Sequence, residues 1–226
     1  MAASSLVILV PVLSRPHRVD PLLASIEVST PDARVLFLCS PGDDDEIAAV
    51  KAAGAEHVIV PWPVGPSDFS RKINYGARET TEEWIFVGAD DLEFTPGWFD
   101  ACLFAHKRTQ ACVVGTNDGG NARVISGQHS THFLVHRDYL ECGTIDTPGL
   151  LLNPEYTHEF TDDECIQTAI WRGTYVHAHQ ALVKHLHPDW GLAKMDATYD
   201  RGRAGREHDR ALYMTRAPMW GRGRQW

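Results

Sequence analysis

The run WIFVGADDLEF, residues 84–94, is apolar until it ends in Asp90, Asp91 and Glu93. Acids set side by side repel, so water or a bound cation has to balance them. Mg2+ and Mn2+ take hard oxygen ligands, often one or two carboxylates completed by phosphate and water, which makes Asp90 and Asp91 candidate metal ligands. The plainer alternative is that they cap the next turn. HLHPDWG puts His185 and His187 two residues apart where Pro188 stops an apolar run. Strand alternation places both imidazoles on one face, where either can add a nitrogen ligand for Mn2+. HEFTDDE crowds His158, Glu159, Asp162, Asp163 and Glu164 at a helix start. The helix dipole stabilises an acid there, but capping uses one acid, not four. A spare carboxylate in that position can take the proton of an attacking hydroxyl as general base.

These groups must be held by the elements around them. SSLVILVPVL is a continuous apolar run, the pattern of a strand buried on both faces, and ARVLFLCS reads as a second buried strand. AEHVIVPW and EWIFVGAD read as two more strands. Between the four lie helical stretches: one with Val19, Leu22, Leu23 and Ile26 as its stripe, then DEIAAVKAAG, then SDFSRKINYGARETT. Strand and helix alternating over about 90 residues imply a mostly parallel sheet with helices on both faces. In such sheets ligands bind beyond the carboxyl ends of the strands, where Asp90 and Asp91 fall. The second half is less regular. TPGWFDACLFAHKR is a helix with Pro96 near its first turn, and ACVVGTND and THFLVHRDYL read as strands. TDDECIQTAIWRGTY is a helix with Thr161 or Asp162 as N-cap, and ALVKHLHPDWG is a last strand. The expected fold class is a single α/β domain.

At 226 residues, 43% hydrophobic and 23% charged, the chain has the composition of a soluble globular protein. The net charge of −9 excludes a wholly basic nucleic-acid binder, but it is unevenly spread. From Asp200 onward seven arginines face Asp200, Glu207 and Asp209, a net +4, which leaves −13 on the rest. An acidic body and a basic end point to a polar or metal site in the one and an anionic contact at the other, or to a solvated terminus. Five scattered cysteines without a CxxC pair read as reduced thiols in a cytoplasmic protein. LVILVPVL is too short to span a membrane.

In order along the chain, these stretches resemble the GT-A glycosyltransferases, particularly the family 2-like enzymes of the small bacteriophage-encoded type. VILVPVLSRP is similar to that family's opening strand and turn, RKINYGARETTEEWIFVGADD to its Asn-x-Gly, helix, strand and Asp-x-Asp run, and FTPGWFD to the helix start that follows. TDDEC resembles the segment carrying the family's catalytic base, and HLHPDWG its late metal-binding histidine. The resemblance spans roughly residues 5–195. It departs in three places: Gly88 stands for the first acid of Asp-x-Asp, Ser40 for the second-strand acid that meets base or ribose, and Thr161 for the Glu before the base.

The resemblance implies a GT-A domain over residues 1–199, with a nucleotide-binding half (1–95) and an acceptor half (96–199), followed by an Arg-rich tail (200–226). It implies a nucleoside-diphosphate sugar, UDP-linked by preference, lying against Pro11, Val12, Leu13, Arg15, Asp43, Lys72, Asn74, Ala89 and Asp90. Arg71 and Asp44 are alternatives for the same contacts. Mn2+ or Mg2+ would be held by Asp90 with His187 or His185, helped by Asp91. Asp162 would be the base, with Asp163 its fallback, giving inversion. Trp190 and His132 are expected to line the sugar or acceptor pocket, and Trp98, on an apolar helix, is read first as core. Phage enzymes of this type modify virion proteins or hydroxymethylated pyrimidines in DNA. Alternating arginines and aromatics in the tail would suit double-stranded DNA. A glycan is another acceptor. A sugar nucleotidyltransferase and an inactive nucleotide-sugar-binding module are the rival classes.

Overall fold

Leu6–Pro11 (β1) lies at the heart of the sheet because Leu6 to Val10 are apolar and wholly buried, so both faces can be covered. It pairs in parallel with Arg34–Cys39 (β2) on one side and Trp84–Val87 (β4) on the other, and His57–Ile59 (β3) extends the parallel half beyond β2. The other half is mixed. Phe133–His136 (β7) runs antiparallel to β4 and to Val113–Asn117 (β6), β6 is parallel to Tyr175–His185 (β8), and Leu92–Phe94 (β5) closes the edge antiparallel to β8. The order is β3-β2-β1-β4-β7-β6-β8-β5 in one eight-stranded sheet. The computed structural model describes residues 5–220.

Helices cover both faces. Val19–Ser29 (α1), Asp44–Ala52 (α2) and Trp98–Thr109 (α4) pack Leu22, Ile26, Val50 and Trp98 against Leu6, Ile8 and Val10. Asp68–Glu79 (α3) and Thr161–Trp171 (α6) pack Ile73, Ala77, Ile166 and Ala169 against Val7 and Leu9 on the other face. Trp98 is fully buried against Phe86 and Phe94, and its indole N–H donates to Thr30 Oγ1 at 2.8 Å, so it is core. Ala122–Ile125 (α5), Ala197–Arg203 (α7) and Arg206–Arg216 (α8) complete the helices.

Several boundaries differ from those expected. β8 begins six residues before ALVKH, because His177, His179 and Gln180 interrupt the apolar pattern of a strand that is only partly buried there. β7 is short and runs into a 3-10 turn at Arg137–Glu141. Neither Thr161 nor Asp162 is the N-cap of α6. Phe160 holds that place in the left-handed region (φ 64°) with its ring on Tyr213, while Thr161 is already helical and spends its hydroxyl on the Asn153 carbonyl. His185 and His187 do not share a strand face, since β8 stops at His185 and His187 caps the 3-10 turn Pro188–Trp190. The described part of the basic end is helical and packed across the carboxyl ends of the strands.

Candidate functional site

Beyond the ends of β1 and β4 the chain encloses a cavity of about 820 Å3, within the size range of small-molecule sites. The strand ends form its floor, the Thr157–Asp163 segment one wall and α7 the other. Pro11, Val12, Leu13, Arg15, Lys72, Ala89, Asp90, Asp91, Asp162, Asp163, His185 and His187 all line it. Asp43 and Asn74 do not. Asp43 accepts the Ser14 N–H at the start of α2, and Asn74 spends its amide on the Leu151 and Leu152 backbone, so both brace loops.

The positive charge at the strand tip is Arg15. Its guanidinium, 4% exposed, lies 3.0 Å from Asp90 and 3.5 Å from Asp91, grips Asp196 through two nitrogens, and stacks 3.8 Å over the Tyr199 ring. Tyr199 in turn donates to Asp91 at 2.8 Å. Burial and the charge of Asp91 push the Asp90 carboxyl up, whereas Asp91, despite its burial, is held well below the usual carboxylate range by His185 and Tyr199.

One donor atom each from Asp91, His132 and His185 falls within 4.8 Å of the others, all three residues buried. His132 directs Nδ1 at the Val87 carbonyl (3.1 Å), which leaves its buried Nε2 without a partner. Burial and His185 push this imidazole down to about 3, so it is neutral and its free nitrogen is a lone pair. A carboxylate and two imidazoles in one enclosed sphere are a donor set for a divalent cation. The expected pair, Asp90 and His187, lines the same cavity but lies outside this three-residue cluster. Asp90 is taken by Arg15, and His187 accepts the Asp189 N–H on Nδ1.

The second group is centred on Asp162. His129 Nε2 lies 3.2 Å from Asp162 Oδ2, and Arg123 reaches Asp163 at 2.7 Å. Burial opposes the charge of Asp162, but the hydrogen bond and charge of His129 win and hold it below its ordinary value. Asp163 moves up, through burial and the charge of Asp162. The two adjacent acids therefore differ: Asp162 is ionised toward the cavity and Asp163 is tied to Arg123. His129 lies in GQHSTH, which carries no motif, so only the fold shows its partner.

On the Pro11–Leu13 side of the cavity Lys72 is 1% exposed and donates to Val12 O (2.8 Å), Ser40 Oγ (2.7 Å) and Asp68 Oδ2 (2.7 Å). Its three protons are used, so it props the Pro11–Leu13 turn rather than offering a free cation. Asp68, not anticipated from the sequence, stands 3.5 Å from Ser40 on the cavity wall. It brings an acid to the place where Ser40 lacks one.

The α7–α8 wall is fitted closely to the Thr157–Glu159 loop. Asp209, fully buried on α8, accepts the N–H groups of Thr157, His158 and Glu159 at 2.7–2.9 Å. A Cβ on Gly202 would sit 2.7 Å from the His158 ring, so only glycine allows that approach. The arginines divide. Arg216 is buried against Glu164, while Arg203 pairs with Asp189 and Arg206 with Glu159 at the cavity rim. Arg201 also lines the rim, and Arg222, Arg224 and Trp226 lie outside the described residues. Among the described residues no helix is long and apolar enough to cross a membrane.

No protein-family model matches the chain, and no curated protein matches it in sequence. Solved structures do match. The mannosyltransferase PcManGT from Pyrobaculum calidifontis, in complex with GDP-Man and Mn2+, superposes with a TM-score of 0.71 at 13% identity over 97% of this chain and 66% of that one. Glucosyl-3-phosphoglycerate synthase from Mycobacterium tuberculosis, with Mn2+, UDP-Glc and phosphoglyceric acid, gives 0.64 at 13% identity over 96% and 81%. TarS from S. aureus with UDP gives 0.58 at 12% identity over 79% and 59%. The chain thus spans less than two thirds of the length of the first and of the last of these, 66% and 59%. At such identities the likeness is one of architecture, and the architecture is the GT-A fold that these glycosyltransferases share.

Proposed function

We propose that the chain is a glycosyltransferase that moves a sugar from a nucleoside-diphosphate sugar, UDP-linked by preference, to an acceptor hydroxyl. The observation that carries this is an ionised, oriented carboxylate, Asp162, facing the same 820 Å3 cavity as the Asp91 and His185 donors, on a fold shared with nucleotide-sugar enzymes. The base would lie against Pro11–Leu13 and the ribose near Asp68. A divalent cation held by Asp91 and His185 would neutralise charge on the leaving diphosphate. Asp162 takes the acceptor's proton as the hydroxyl oxygen bonds to the anomeric carbon and the bond to the diphosphate oxygen breaks. One carboxylate acting as base in a direct displacement inverts the anomeric centre. The acceptor crosses the rim between Glu159 and α7, where Arg201 is placed to meet an anionic carrier while Arg203 and Arg206 are paired with Asp189 and Glu159. Hydroxymethylated DNA is the first such acceptor to test, a protein or glycan hydroxyl the next.

The test is a panel of UDP- and GDP-sugars with Mn2+, read as nucleoside diphosphate released and, by mass spectrometry, as sugar added to hydroxymethylated DNA or a protein mixture. Mn2+-dependent release supports the transferase. Pyrophosphate exchange would instead assign a nucleotidyltransferase, and tight binding without turnover an inactive binding module.

His129 gives the reading a pH signature. Because His129 holds Asp162 down, the ionised base persists into acid and is lost only as pH falls through that depressed value. His129→Ala removes the hold, so at saturating metal the acid limb of kcat moves to higher pH while the affinity for the donor stays within about twofold, the two sites being separate groups. An unmoved limb would assign the limb to another group.

A further inference from the structure

Resting on the transferase reading, we infer that His132 is the third protein ligand of the cation, filling the position that Gly88 leaves empty, and that the resulting Asp91/His132/His185 site selects Mn2+ over Mg2+.

The argument begins at Gly88. Its N–H bonds to Leu9 O, and a Cβ built on it would lie 2.7 Å from that same carbonyl oxygen, a backbone atom that cannot swing away. Position 88 in this chain therefore tolerates no side chain, let alone a carboxylate. Asp90 does not replace it, because its near oxygen is 3.0 Å from the buried Arg15 guanidinium, which also holds Asp196 and stacks on Tyr199. Releasing Asp90 would take one carboxylate from a buried arginine that keeps Asp196 and, at 3.5 Å, Asp91. Of the two acids at the strand tip, Asp91 is the one beside the imidazoles, 3.5 Å from His185.

His132 immediately precedes β7, the strand beside β4, and is 4% exposed. A buried ring nitrogen without a partner is expensive unless something binds it. Here the ring belongs to a cluster whose other members are a carboxylate and a second imidazole, with the His132 and His185 rings nearly perpendicular at 4.8 Å. Its other nitrogen contacts a backbone carbonyl, the outer-shell bond that fixes the tautomer of metal-bound histidines. Two nitrogens and one carboxylate disfavour Mg2+, which prefers oxygen and holds its water, and favour transition ions such as Mn2+.

The test uses Mn2+ alone, added to the full chain, with pulsed EPR to detect nitrogen coupled to the metal and titration calorimetry for affinity. The wild type is expected to show coupling to two imidazoles and to bind Mn2+ at least tenfold more tightly than Mg2+. His132→Ala should keep one coupling and bind Mn2+ at least tenfold more weakly. His132→Asp should restore binding with the preference moved toward Mg2+, which also guards against loss of fold in the alanine variant. Unchanged two-nitrogen coupling in His132→Ala, or equal Mn2+ and Mg2+ affinity in the wild type, overturns the inference. If nucleotide-sugar turnover depends on Mn2+ yet the bound ion carries no nitrogen coupling, the inference fails while the transferase reading stands. Absence of both turnover and Mn2+ binding removes that reading as well.

Discussion

Asp162→Asn leaves donor binding intact and lowers kcat by about 10^2- to 10^4-fold, the usual contribution of a positioned general base. The substitution suits the site. Asn matches Asp in shape, and its carbonyl oxygen can still accept from His129, which lies 3.2 Å from Oδ2 in the wild type. What is lost is basicity, so the effect falls on proton removal, a barrier increase of roughly 3–5 kcal/mol. The neighbouring acid is the internal control. Asp163 is engaged by Arg123 at 2.7 Å and is displaced toward its protonated form by burial and by Asp162. Asp163→Asn is therefore expected to change kcat by less than about tenfold, since it withdraws an orienting contact and not the base. Steady-state rates together with calorimetric donor binding separate the two. An active Asp162→Asn beside an inactive Asp163→Asn would exchange their roles.

The parts legible in the sequence are those set by short-range pattern. β1 and β4 are unbroken apolar runs, β2 is one after Arg34, and their order with α1, α2 and α3 follows from alternation alone. The acids at the strand tip and at the start of α6 could be read because like charges that close together need a reason. What could not be read are the partners, which arrive from distant sequence. Arg15 reaches Asp90 across 75 positions and Tyr199 reaches Asp91 across 108, and neither carries a local sign of its neighbour. From the sequence His132 is expected only to line the pocket, and the antiparallel insertion of β7 beside β4 is what brings it to Asp91. Lys72 shows the same limit from the other side. A helical lysine is ordinarily solvated, and this one is buried because Val12, Ser40 and Asp68 each accept one of its protons.

The same limit governs the arginines, and Arg216 gives the largest expected effect on stability. From composition it belongs to a basic tail, but in the fold its side chain is 6% exposed and meets Glu164, itself 3% exposed, through Nε at 2.7 Å and Nη2 at 3.0 Å. Asp146 accepts from the same guanidinium at 3.0 and 3.1 Å. Glu164 also accepts from Tyr156 and Asn153, so every group around it is arranged for a charged carboxylate. Arg216→Met leaves that carboxylate buried without its cation, which costs about 3–5 kcal/mol. At roughly 2–4 °C per kcal/mol for a chain of this size, the melting temperature falls by about 10 °C. Glu164→Gln introduced together with Arg216→Met removes the stranded charge and should recover much of the loss, a coupling that exposed pairs do not show. Because the pair is buried, the loss should be nearly the same at low and high salt. Thermal unfolding of the two single variants and the double variant measures it. A wild-type melting temperature for Arg216→Met would mean that α8 is not seated on α6 through this pair. The rim arginines would then have to be positioned by Asp209 alone.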